Sequence, residues 1–189
     1  DRDSKEKQDK KAIMKQSKTI KMTAQNVNDI AFSLMSDFRY ISVEKNSITV
    51  EIACKRQNYE KYLKQTENIF EILDYFSKKY YPYPYKKITV VDGLLRAGGG
   101  MEYPMFIVMG DISAPEEMLG GLIKMNYLED VLAHEAAHQW FYLISGSDEF
   151  NEPFMDEGFA TFSELSYIEY KRGDDNYISV FNKKAVNLF

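Results

Sequence analysis

Cysteine is almost missing from this chain: Cys54 stands alone among 189 residues, so no internal disulfide framework can support the fold. No apolar run approaches the ~20 residues that a bilayer-spanning helix needs. The one glycine-rich stretch, Arg96 to Gly100, is not followed by Gly-Lys-Ser/Thr, which argues against a phosphate-binding loop. Internal repeats and low-complexity tracts are absent too. The chain opens on Asp1 without a signal sequence and is expected to be an excised piece of a longer protein.

Basic residues are scarce where it matters most. Between Met101 and Ala160 there are twelve acids and one base, Lys124. The net charge of -5 understates this, because residues 1–22 hold eight Lys/Arg against four Asp/Glu and leave 16 against 25 for the remainder. Such a surface would attract cations and protonated amino termini, and it argues against nucleic acid as a partner. The rest of the composition, 44% hydrophobic and 28% charged, is that of an ordinary globular chain.

Histidine is the scarcest chemical resource. The only two, His134 and His138, lie four apart in V-L-A-H-E-A-A-H-Q-W. On a helix, residues at i and i+4 sit one above the other on the same face. Two imidazoles so placed can bind one metal ion, with Glu135 beside them as general base. A third ligand is expected from Glu157, which eighteen residues separate from His138, on a second helix returning past the first. Two His and one Glu, with a fourth position left to water, is the ligand set of a hydrolytic zinc site. The alternative is an accidental H-E-x-x-H on an ordinary amphipathic helix. The downstream acid, the absence of any other histidine and the preceding Gly-Gly-Gly-Met-Glu-Tyr-Pro run favour the metal.

Together, H-E-A-A-H-Q-W and Glu157 in D-E-G-F-A resemble the gluzincin aminopeptidases of the aminopeptidase N type. Gly99-Gly100-Met101-Glu102-Tyr103 is similar to that family's Gly-x-Met-Glu-Asn signature, with Tyr103 in place of Asn. The likeness is best from about Tyr59 to Tyr170. It implies an α+β fold, the first part of a thermolysin-like zinc peptidase domain over residues 56–189. Residues 1–55 would be the end of an N-terminal β-domain. It also implies that Glu102, with Gly99, Gly100 and Met101, binds a peptide substrate by its free α-amine. The family's oxyanion-stabilising tyrosine would lie beyond Phe189.

Along the chain, Ile20, Met22 and Ala24 give a weak strand signal. Asp37 to Val43 and Ser47 to Cys54 read as a hairpin about Glu44-Lys45-Asn46, with Ile48, Val50, Ile52 and Cys54 on one face. Tyr59, Tyr62, Leu63, Thr66, Ile69, Phe70, Leu73 and Phe76 predict a long amphipathic helix stopped by Pro82 and Pro84. The aromatic run Tyr80 to Tyr85 reads as a packed corner before a strand over Lys87 to Val91. Glu102 is expected in a loop, with a strand leaving it over Met105 to Met109, and Asp111 to Gly121 in a surface loop. The metal helix is expected over about Met125 to Ile144, and another from Glu157 through Tyr170. Glu164, two turns beyond Glu157 on the same face, could hydrogen-bond a ligating imidazole from behind or be an exposed helix acid.

The chemistry expected is peptide hydrolysis by a zinc-activated water, with Glu135 taking its proton. Two other readings remain: a thermolysin-like endopeptidase, and a non-catalytic peptide-binding module on the same scaffold. Glu102 blocking the cleft argues against the first, and four intact site residues argue against the second.

Overall fold

Alternating apolar residues put Val50, Ile52 and Cys54 on the inner face of a strand, and a tight turn returns it to a partner. In the computed structural model, which describes residues 19–95, 99–110 and 127–186, these are β1 (Phe38–Lys45) and β2 (Ile48–Lys55). The turn between them is Asn46-Ser47, with φ of 52° and 64°. Two consecutive left-handed residues match the twist of a hairpin, and they fix the register at Lys45 opposite Ile48.

A long helix, α1 (Tyr59–Lys79), carries the chain over the sheet to β3 (Lys87–Asp92). Its buried stripe is Tyr62, Thr66, Ile69, Phe70, Ile72, Leu73 and Phe76. Leu63, expected on that stripe, is exposed instead, and Ile72 takes a place in the core. Two further strands follow, β4 (Gly100–Tyr103) and β5 (Phe106–Met109). The sheet order is β1-β2-β3-β5-β4, with β2-β3 and β3-β5 parallel and the two outer pairs antiparallel. Strands from both sides of the short turn Arg56–Asn58 share this sheet. Buried Asp92 reinforces the junction: it accepts the Lys55 N–H at 3.0 Å and the Asn58 side-chain amide at 2.8 Å.

Three helices complete the described chain: α2 (Tyr127–Ala137), α3 (Glu157–Arg172) and α4 (Asp174–Val186). The core lies between the sheet and α1 with α2, where Phe76, Ile72 and Tyr62 meet Val50, Ile52, Ile88, Val90 and Ile107, and Leu132 and Ala136 join them. Trp140 closes one end, edge-on to Phe76 at 5.6 Å, its indole N–H donating to the Tyr81 carbonyl at 2.6 Å. Tyr83 is buried nearby and donates to the Lys87 carbonyl, so the expected aromatic corner is packed at Tyr83 while Tyr81 stays exposed.

Several sequence expectations are corrected. Ile20 to Ala24 forms no strand, and Ile20 and Met22 are exposed. Glu102 sits on β4, not in a loop. The metal helix does not reach Ile144: beyond Ala137 the chain turns, with Gln139 and Trp140 bonding three residues back and Leu143 and Ser145 five back. Tyr142 at φ 89° marks the distortion. Trp140 and Leu143 are both buried along this turn. Arg96 to Gly98 and the expected loop over Asp111 to Gly121 lie outside the described residues. Among the described residues no helix is long and apolar enough to cross a membrane.

Candidate metal centre

Helix α2 presents His134 and His138 from its last turn, where the amide of His138 still reaches the His134 carbonyl. Their Nε2 atoms lie 3.3 Å apart. Helix α3 begins at Glu157, and its Oε2 is 3.1 Å from His134 Nε2 and 3.9 Å from His138 Nε2. A tetrahedral zinc ion about 2.1 Å from each donor would set the donors roughly 3.4 Å apart. The three atoms therefore fit one such ion, and two imidazoles with a carboxylate are the right donors for it.

Behind the donors stand two more acids. Glu164 Oε2 is 3.1 Å from His134 Nδ1, and Asp156 Oδ1 is 2.5 Å from His138 Nδ1. Glu164, Asp156 and His138 are all buried. The Asp156 contact is off the direction of a linear hydrogen bond and acts as a charge contact. Each imidazole thus has a carboxylate at Nδ1, which leaves Nε2 to face the donor cluster. Asp156 was missed in the sequence, although it adjoins Glu157.

Opposite α2 runs the edge strand β4. Gly100 and Glu102, two apart, share the strand face that meets Glu135. A Cβ at Gly100 would lie 2.4 Å from Glu135 Cγ and 2.5 Å from Oε1, so only glycine leaves room for that carboxylate. One atom each of Glu102, Glu135 and His138 lie within 4.8 Å of one another. Met101, between Gly100 and Glu102, points from the strand's other face, and Gly99 at φ 70° turns the chain into it.

The electrostatics follow from burial and crowding. Burial raises the Glu135 carboxyl to about 7, aided by Glu102 and Glu157 and opposed by the two imidazoles. Burial likewise raises Glu102. Burial lowers the His134 imidazole, but hydrogen bonds to Glu157 and Glu164 outweigh it and lift the pKa to about 10. His138 is lowered by burial and raised more by Asp156 and Glu102. Among the described residues Glu135 Oε2 is buried without a hydrogen-bond partner.

A remote buried cluster braces the two ligand-bearing helices. Arg172, at the end of α3, reaches Glu129 at 2.8 Å and Asp130 at 2.6 Å in the first turn of α2. Tyr167 donates to Glu129 at 3.0 Å. Neither sequence motif signals this pairing.

A His-Glu-x-x-His helix and a second helix that brings a carboxylate onto the same point, with a third acid on the facing strand, match the donor set of a zinc metallopeptidase family domain. The chain belongs to peptidase family M1: residues 62–188 match the Peptidase family M1 domain. Aminopeptidase N of Plutella xylostella is 30% identical over 176 residues, covering 81% of this chain and 18% of the relative. Aminopeptidase N of Canis lupus familiaris is 34% identical over 110 residues, 54% of this chain and 10% of the relative. Glutamyl aminopeptidase of Rattus norvegicus is 27% identical over 118 residues, 60% of this chain and 12% of the relative. The chain thus spans less than a fifth of the length of these curated relatives.

Proposed function

We propose that this chain carries the zinc-binding and proton-transfer residues of an aminopeptidase that removes N-terminal residues from peptides. The reading rests above all on the proximity of Glu102, Glu135 and His138, all within one 4.8 Å cluster. One zinc ion held by His134, His138 and Glu157 would supply Lewis acidity to the scissile carbonyl and make water a nucleophile near neutral pH.

Glu135 takes the proton of the attacking water at its unpaired Oε2 and returns it to the leaving nitrogen as the C–N bond breaks. Glu102 binds the substrate's α-ammonium by charge-assisted hydrogen bonds. Its place on the edge strand sets the amine next to the base, so one residue fits between them and the reaction. Gly100, beside Met101 on this edge, offers main-chain groups to the extended peptide, which adds to the edge as a further strand, while Gly99 already donates to the Tyr127 hydroxyl and accepts from the Gly110 N–H. Glu164 and Asp156 orient the imidazoles. A mixed sheet whose edge strand flanks the metal helix supports a thermolysin-like architecture for the domain.

The test uses the intact protein with leucine p-nitroanilide and its N-acetyl derivative. Glu102→Ala should lower kcat/KM for the free amine by ~10- to 1000-fold, where each tenfold is about 1.4 kcal/mol. The acetylated substrate should stay at its low baseline. Equal losses on both would assign Glu102 to the fold or the metal and remove the basis for an exopeptidase.

A further inference from the structure

Gln139 is buried completely, yet it neither touches the metal donors nor contributes apolar surface to the core. Helix α2 ends two residues before it, and the tight turn there, with the Gln139 N–H on the Ala136 carbonyl at 3.1 Å, carries its side chain to the sheet edge. Its Oε1 accepts the Met105 N–H at 2.9 Å, and its Nε2 donates to the Tyr103 carbonyl at 3.1 Å. The amide orientation is unambiguous, because one partner can only donate and the other only accept.

Those two backbone groups bracket the turn Pro104-Met105, which joins β4 to β5. Met105 has φ 59°, a left-handed conformation that residues other than glycine rarely adopt. Such backbone persists only where its surroundings hold it. Here the N–H of Met105 is held by Gln139, and its carbonyl accepts from the Thr89 N–H at 2.8 Å. Strand β4 itself is four residues long and paired on one side only. Its start is tied to α2 by the Gly99 N–H on the Tyr127 hydroxyl at 3.2 Å, and at its other end Gln139 is the anchor.

We propose that Gln139 is a positioning residue that holds edge strand β4, and with it Glu102, at a set separation from Glu135. The inference rests on the aminopeptidase reading above and adds to it how the amine site is kept in register with the base. Gly100 shows how narrow the tolerance is, since its backbone lies against the Glu135 carboxylate with no room for a methyl group. A leucine or methionine at 139 could fill the same volume but could not bond Met105 or Tyr103.

The experiment compares the intact protein with Gln139→Met, which removes both bonds, and Gln139→Glu, which keeps only the acceptor for Met105. Two inhibitors probe the site, leucine hydroxamate and its desamino analogue 4-methylpentanohydroxamate. They share the metal-binding group and side chain and differ in the amine. Gln139→Met should retain zinc, speed hydrogen exchange at the Met105 amide by at least ~10-fold, and leave the β3 amides protected. It should raise Ki for leucine hydroxamate by ~10- to 100-fold and that of the analogue by less than ~3-fold. Gln139→Glu should fall between, and it decides by the same readouts if Gln139→Met does not hold zinc. Unchanged Met105 exchange, or an equal rise in both Ki values, would overturn the proposal. An unsubstituted enzyme that binds both inhibitors equally would instead overturn the aminopeptidase reading, and the exchange result alone would then decide whether Gln139 holds the turn.

Discussion

The backbone of Gly100 lies against the carboxylate of Glu135, close enough that a single added methyl carbon would overlap it at 2.5 Å. Strand and helix therefore meet at the proposed base itself. Gly100→Ala should push the Glu135 carboxylate out of line while leaving the metal donors in place. Displacement of a reacting group by about 1 Å can reduce the rate by ~100-fold, so kcat should fall by that order with zinc content unchanged. Turnover and metal analysis on the same sample check this. Near-normal kcat would mean that the carboxylate moves freely.

Glu135→Gln keeps the shape of the side chain and removes the proton acceptor. A general base contributes typically ~100- to 10,000-fold, and kcat should drop by that range while zinc remains bound. Wild-type turnover in a zinc-replete sample would require another base.

Asp156 and Glu164 should matter for the metal before they matter for the substrate. Loss of a carboxylate behind a ligating imidazole typically weakens metal binding by ~10- to 100-fold. Asp156→Ala and Glu164→Ala should each show that loss in competition with a chromophoric chelator. Tight binding in both variants would reduce these acids to packing residues.

Zinc affinity should rise with pH through neutrality. In the metal-free protein hydrogen bonds to Glu157 and Glu164 raise His134 to about 10 against its burial, so it carries a proton at pH 7, and His138 is shifted in the same direction. The ion must displace protons bound there, and apparent affinity should increase about tenfold per pH unit for each proton released. Chelator competition between pH 6 and 8, with proton release followed in weak buffer, measures the slope. A flat profile would mean that the imidazoles are already neutral.

The site was legible in the sequence where chemistry repeats at helical spacing. His134, Glu135 and His138 declare one face of a helix, and Glu157 was the acid at a plausible return distance. Asp156 was not legible, because two adjacent acids give no sign of which one turns towards His138; the start of α3 decides that. Strand β4 was hidden for a different reason: four residues opening with glycine show no alternation. The early end of α2 was hidden because Gln139 to Ile144 contains no glycine or proline. Strand β2 and helix α1 were read well because their burial follows sequence period, with Leu63 as the exception, whereas the turn expected about Glu44-Lys45-Asn46 falls at Asn46-Ser47. Gln139 bonds across 34 residues to Met105, a relation that no local pattern carries.

The buried pairing of Arg172 with Glu129 and Asp130 ties α3 to α2 at the end remote from His138. Two rigid rods joined there, α2 packed on the sheet edge and α3 packed on α2, keep their donor-bearing ends together by architecture rather than by the ion. Assembly in the cell then has an order: the polypeptide can finish folding first and be charged with metal afterwards. Stripping the ion should correspondingly leave a receptive vessel that can be refilled, where a small zinc-dependent module would collapse.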